Sequence, residues 1–151
     1  MNNGIGGNRV ADVLFVCVHN VGRSQMAKAL FNHIARQRGL RLSADSAGTE
    51  PEESIHGHVI DVMRELGIDV SRERPKLLTN EMAESARRII TMGCDVDTGA
   101  CPAVFIKGIE DWGLPDPKDQ DMAGVRAVRD EVRRRVEALI VELGGALGAQ
   151  A

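Results

Sequence analysis

The chain has 151 residues, a formal net charge of −3 and a hydrophobic content of 43%. That length suits one domain around one core, and so mild a charge excludes a general affinity for nucleic acid. No apolar run reaches membrane-spanning length, and three cysteines, an odd number, do not make a secreted disulfide framework, so a reducing cytoplasm is expected.

Residues 1–9 lack the charged and apolar regions of a signal peptide and read as a flexible lead-in to a domain over 10–143. Residues 10–16 predict a short buried strand, with Asp12 its one polar interruption. Residues 23–38 predict a helix with Met26, Ala27, Leu30, Phe31, Ile34 and Ala35 on one stripe, stopped by Gly39. A second strand is predicted over 41–46, then a polar loop from Glu50 to Ser54. His56 and His58 read as the approach to a helix over 57–66, not as ligands. Thr79 or Asn80 caps a short helix to Ala86. Residues 87–92 predict a third strand, Lys107–Glu110 a fourth, and 121–143 a final helix facing inward through Val125, Val128, Val132, Val136, Leu139 and Leu143. Residues 144–151 read as a flexible tail. The basic runs Arg87-Arg88 and Arg133-Arg134-Arg135 read as solvated faces. Strands alternate with helices, so the expected fold class is α/β: a single-domain four-stranded parallel sheet with helices on both faces. Ligands of such sheets bind beyond the carboxyl ends of the strands, where Cys17 and Cys94 both fall.

Between the first strand and the first helix lies Cys17-Val18-His19-Asn20-Val21-Gly22-Arg23-Ser24. The N–H groups of a loop running into a helix have no partner inside the helix, and the helix dipole adds partial positive charge. A tetrahedral oxyanion is therefore held readily there. Asn20 and Gly22 can take the positive φ angles of such a curl. Arg23 can grip two anion oxygens, and Ser24 can donate to the Cys17 sulfur. The same field favours the Cys17 thiolate, a nucleophile for phosphorus or arsenic. A structural reading, a core Cys and a surface Arg, fits less well with the Asn, Gly and Ser beside them.

Cys94 and Cys101 bracket a polar segment containing Gly99. Zinc is not expected, because tetrahedral sites need four ligands and closer spacing; no metal is expected anywhere. A redox pair is the preferred reading, two unremarkable loop thiols the other. Asp116, in Leu114-Pro115-Asp116-Pro117, is either a turn residue or an acid. Trp112 reads as core, and the chain has no Tyr.

The loop Cys17 to Ser24 resembles that of the low-molecular-weight protein tyrosine phosphatase superfamily. The continuation Arg23-Ser24-Gln25-Met26-Ala27 is similar to its arsenate reductases, the phosphatases usually carrying Pro where this chain has Gln25. The resemblance extends through Asp45-Ser46-Ala47-Gly48-Thr49, Gly67-Ile68-Asp69-Val70-Ser71 and Asp116-Pro117. It implies an enzyme that reduces arsenate to arsenite, for arsenic detoxification, through a Cys17/Cys94/Cys101 disulfide relay. Cys17, Arg23, Ser24, Cys94, Cys101 and Asp116 would be catalytic, with Asp116 the general acid. Val18, His19, Asn20, Val21, Gly22 and Arg23 would form the oxyanion loop. No cofactor would be bound; thioredoxin or a low-molecular-weight thiol would be the external reductant. Phosphate or sulfate would compete with arsenate, and a monomer is expected. Some such reductases hold potassium through Asn, Glu, Ser and Asp. Asn20 and Ser46 match, but Lys28 and Lys76 stand at the other two positions, which predicts no potassium site; two solvent-facing lysines are the alternative. The missing aromatic wall beside Asp116 argues against an aryl phosphate. A phosphatase, or a non-catalytic oxyanion-binding or redox-sensing module, remains open.

Overall fold

The computed structural model describes residues 11–93, 110–117 and 120–148. Cys94, Cys101 and Lys107 to Ile109 lie outside the described residues, as do the lead-in up to Val10 and the tail beyond Gly148.

The central strand is β1 (Val13–Cys17), whose five residues are all buried. Its β-branched and apolar side chains suit a strand covered on both faces. Val13, Phe15 and Cys17 point to one face and Leu14 and Val16 to the other, as the two-residue period requires. Helix α1 (Arg23–Gln37) follows directly. All six residues of its predicted stripe are buried in the larger core. At roughly 1.5–3 kcal/mol for each large apolar side chain, Met26, Leu30, Phe31 and Ile34 anchor the helix far more firmly than intrinsic propensity does.

Strand β2 (Ala44–Gly48) pairs parallel with β1 in the register Val13↔Ala44 to Cys17↔Gly48. It begins and ends later than the predicted 41–46. Asn32 of α1 sets its start, donating to the Ala44 carbonyl (3.1 Å) and accepting the Ala44 N–H (2.8 Å). Leu42, inside the predicted range, is buried outside the strand. Helix α2 (Gly57–Arg64) buries Val59, Val62 and Met63. Helix α3 (Asn80–Ser85) is capped by Thr79, whose Oγ1 accepts the Met82 N–H. Strand β3 (Arg88–Thr91) pairs with the other side of β1, Val16 opposite Thr91, and β4 (Glu110–Asp111) pairs with β3. The sheet order is β2-β1-β3-β4, all parallel. Helix α4 (Met122–Gly148) continues past the predicted end at Leu143.

The larger core joins one face of β1 to α1, α2 and α4; a smaller one joins Leu14, Val16 and Ala47 to α3 through Ala83. Helices thus cover both faces, and β1 and β3 end side by side. The basic runs are more engaged than solvated faces: Arg88 pairs with Glu110 and Glu142, Arg87 with Asp12, and Arg134 and Arg135 with Glu131. No helix among the described residues is long and apolar enough to cross a membrane.

Glu65, next after α2, is clamped to α4. It accepts from Arg126 (3.0 Å) and Arg129 (2.7 Å), and Arg129 also donates to the Val62 carbonyl. Hydrogen bonds from Arg126 and then Arg129 lower the Glu65 pKa from 4.5 to about 2. A carboxyl depressed in the folded state stabilises the fold above its unfolded pKa and loses that contribution as pH falls through the folded one. Thermal unfolding followed by circular dichroism should therefore weaken between pH 4.5 and about 2, and Glu65→Gln should melt lower at neutral pH with a shallower acid limb. A parallel acid limb in the variant would remove the clamp from this account.

Candidate active site

The end of β1 and the start of α1 fix the loop at both ends. Asn20 takes φ 56°, a left-handed conformation that Asn tolerates. Gly22 does not, contrary to expectation; its φ is −136°. Its smallness is steric instead, since a Cβ there would lie 3.1 Å from the Pro117 ring. Gly48 is more constrained: a Cβ there would sit 2.5 Å from the Val18 carbonyl oxygen. The loop backbone and strand β2 therefore touch directly. Gly22 is the N-cap of α1 and supplies no side-chain cap, so the first N–H groups of the helix are left for an anion.

Cys17 is buried, its Sγ 2.8 Å from Ser24 Oγ and accepting the Asn20 N–H at 3.2 Å. The hydrogen-bond directions follow from one unambiguous donor. The Lys76 backbone N–H lies 2.8 Å from Asn20 Oδ1, so that atom is the amide oxygen. Asn20 Nδ2 therefore faces Ser24 and donates to its Oγ at 2.8 Å. The serine hydrogen is thereby directed to Cys17, where it favours the thiolate.

Arg23 is buried, and its Nη1 donates to the carbonyls of Met92 (3.1 Å) and Leu114 (2.8 Å). Both Nη1 hydrogens are thus used on backbone, and the edge formed by Nε and Nη2 remains for two anion oxygens. Asp116 Oδ2 stands 3.6 Å from Arg23 Nη2, half exposed at the mouth. The arginine ties the chain leaving β3 and the chain before Asp116 to the loop.

A cleft of about 260 Å³ opens over the sulfur, lined by Cys17 through Arg23 and by His56, Asp116 and Pro117. The structure thus brings together Cys17, Val18, His19, Asn20, Val21, Gly22, Arg23 and Asp116; Ser24 lies beneath, against the sulfur. Cys94 and Cys101 lie outside the described residues. The sequence reading missed His56 and Pro117 as cleft residues. His56 is distant in sequence and meets the loop where its backbone N–H donates to the Val21 carbonyl (3.3 Å). The His19 ring engages the loop that follows β2, with Nδ1 3.1 Å from the Glu50 carbonyl oxygen and 3.5 Å from Glu52 Oε2.

Lys28 and Lys76 do not simply face solvent. Lys28 Nζ pairs with Glu73 (2.7 Å) and lies 3.7 Å from Asp45, which also takes Lys76 Nζ at 2.5 Å. The two cations are matched by two carboxylates. Among the described residues, no group of three or more His, Cys, Asp or Glu side chains is placed to hold a metal ion. Trp112 is buried as expected, 5.5 Å from Phe15 ring to ring, with the Arg135 guanidinium 6.0 Å from its centroid.

Replacing Arg23 by Lys should remove the fork while keeping the charge. One ammonium cannot serve two carbonyls and also grip two anion oxygens. Calorimetry with inorganic phosphate should show roughly a 10- to 100-fold loss of affinity, the scale of one hydrogen bond to a charged group, together with a lower melting temperature. Unchanged affinity would place the anion elsewhere.

The family model for low molecular weight phosphotyrosine protein phosphatase matches residues 12–148. A putative arsenate reductase of Halobacterium salinarum is 37% identical over 130 residues, covering 85% of this chain and 89% of its own. A solved arsenate reductase in its phosphate-binding state superimposes with a TM-score of 0.75 at 32% identity, covering 88% of this chain and 98% of that one. A thioredoxin-dependent arsenate reductase of Corynebacterium glutamicum gives a TM-score of 0.73 at 34% identity, over 92% of this chain and 64% of that one.

Proposed function

The chain belongs to the low-molecular-weight phosphotyrosine protein phosphatase family, and from that premise we propose that it is an arsenate reductase whose Cys17 attacks the bound oxyanion and whose Cys94 and Cys101 carry the oxidation away. The observation that supports this most is the one cleft holding the sulfur of Cys17, the guanidinium of Arg23 and the carboxyl of Asp116 paired with it. Likeness to arsenate reductases from two organisms, one of them thioredoxin-dependent, supports the substrate and the reductant.

The first step is nucleophilic. Arsenate settles against the first N–H groups of α1 and the Nε/Nη2 edge of Arg23. The Cys17 thiolate forms a sulfur–arsenic bond, the bond from arsenic to a hydroxyl of the protonated arsenate breaks, and that hydroxyl takes a proton from Asp116 and leaves as water. Ser24 and Asn20 hold the thiolate until it reacts. Pentavalent arsenic is now bound to Cys17.

The second step is the reduction. The Cys94 thiolate attacks the Cys17 sulfur, and a disulfide forms between them. The electron pair of the sulfur–arsenic bond passes to arsenic, which leaves as trivalent arsenite. Cys101 then attacks Cys94, freeing the Cys17 thiolate and leaving a Cys94–Cys101 disulfide. The dithiol of thioredoxin reduces that disulfide, two electrons for each arsenate. Arg23 supports this sequence by fixing the Met92 carbonyl, just upstream of Cys94, to the pocket that holds Cys17. The thiol chemistry suits a reducing cytoplasm.

A coupled assay tests the reading. With arsenate, thioredoxin, thioredoxin reductase and NADPH, the protein should consume NADPH steadily. Cys94→Ser and Cys101→Ser should each lower turnover at least a hundredfold, while hydrolysis of a small aryl phosphate, a Cys17 and Asp116 reaction, should survive in both. Cys17→Ser should abolish both activities. Strong hydrolysis with no NADPH consumption by the parent, using either thioredoxin or glutathione with glutaredoxin, would make the protein a phosphatase and overturn the proposal.

A further inference from the structure

Gln25 is 1% exposed in the first turn of α1 and touches neither the cleft nor the sulfur. Its Nε2 lies 3.1 Å from the Asn20 backbone carbonyl oxygen, 3.1 Å from Asn20 Oδ1 and 3.4 Å from the Arg74 carbonyl oxygen. All three neighbours are acceptors; the Oδ1 assignment rests on the Lys76 backbone N–H that points at it. The Gln25 amide therefore has one workable orientation, with nitrogen toward Asn20. Its Oε1 is buried and finds no hydrogen-bond partner among the described residues. A buried amide with half its capacity unmet costs stability, and an apolar side chain of similar size would avoid that cost.

We propose that Gln25 is a positioning residue for the nucleophile: it holds both the left-handed backbone and the carboxamide of Asn20, so that Asn20 donates to Ser24 and Ser24 to Cys17. Every link runs the same way. Gln25 Nε2 donates to Asn20 Oδ1, Asn20 Nδ2 to Ser24 Oγ, and the Ser24 hydroxyl to the Cys17 sulfur. The link to the Asn20 carbonyl secures φ 56°, the conformation that aims the Asn20 N–H at the same sulfur. Without Gln25, one N–H from the Lys76 backbone is left to orient the carboxamide. Both donors to the thiolate loosen together.

The inference rests on Cys17 being the nucleophile, which the proposed reductase shares with a hydrolase. Its test needs neither arsenate nor thioredoxin, so its outcome is separate from that of the coupled assay. In a Cys94→Ser/Cys101→Ser background Cys17 is the one remaining thiol. Its titration is read by ultraviolet thiolate absorbance and by the pH profile of alkylation with iodoacetamide. Gln25→Met keeps length and burial but has no donor. Its midpoint should rise by roughly one pH unit, about a tenfold loss of reactive thiolate below the midpoint. In an Asn20→Ala background the same substitution should add no further shift, because its effect passes through Asn20.

A cooperatively folded Gln25→Met protein with an unmoved midpoint would overturn the proposal. So would an equal shift in the Asn20→Ala background. Where Gln25→Met shows no cooperative melting, Gln25→Leu is read in the same way. If neither variant folds, Gln25 is a structural residue and the proposal fails.

Discussion

The site depends on how Asn20 is held. It is a fully buried side chain on a left-handed backbone, and two donors, the Lys76 N–H and Gln25 Nε2, meet its carboxamide oxygen. From that orientation follow the hydrogen of Ser24, the charge favoured on Cys17 and the inward set of the loop. Reversing the carboxamide would set its nitrogen against two donors and aim its oxygen at Ser24. The hydroxyl would then turn away from the sulfur. A directed chain of hydrogen bonds in a water-poor pocket is worth more than the same groups in solvent, because none of its members can reorient cheaply.

Sheet and arginine supply the rest. Strand β1 is buried on both faces and paired on both edges, so its carboxyl end holds Cys17 rigidly. The adjacent end of β3 carries the chain toward Cys94. Arg23 spans the gap with Nη1 bonded to a carbonyl on each of two separate segments. Its guanidinium is therefore fixed in place by backbone, which avoids the entropy cost of ordering a free side chain. Asp116 hangs at the mouth from one of those segments.

The outline of the fold was legible because the helices obey their periods. The stripe from Met26 to Ala35 and that from Val125 to Leu139 lie in the core as read. The loop was legible because residue type and position agreed: Cys after a buried strand, then Asn, Gly, Arg and Ser. Strand β2 begins and ends later than its sequence suggests, because its start is set by Asn32 on the Ala44 backbone and its end by the close approach of Gly48 to the loop, neither of which is a strand-propensity signal. Gly22 was read as conformational when its role is to let Pro117 approach. His56 could not be found from spacing, since it reaches the cleft through tertiary contacts such as its backbone bond to Val21. The pairing of Lys28 and Lys76 is invisible to spacing, because their partners, Glu73 and Asp45, come from other parts of the chain.

The setting of Trp112 has an optical consequence. With no tyrosine in the sequence and one tryptophan, near-ultraviolet emission comes from this indole alone. It is wedged between Phe15 and Arg135, two positions before the residue whose carbonyl grips Arg23. The molecule thus carries its own fluorophore beside the segment that bears Asp116, where a change in the surroundings of the indole would report a movement there without any attached dye.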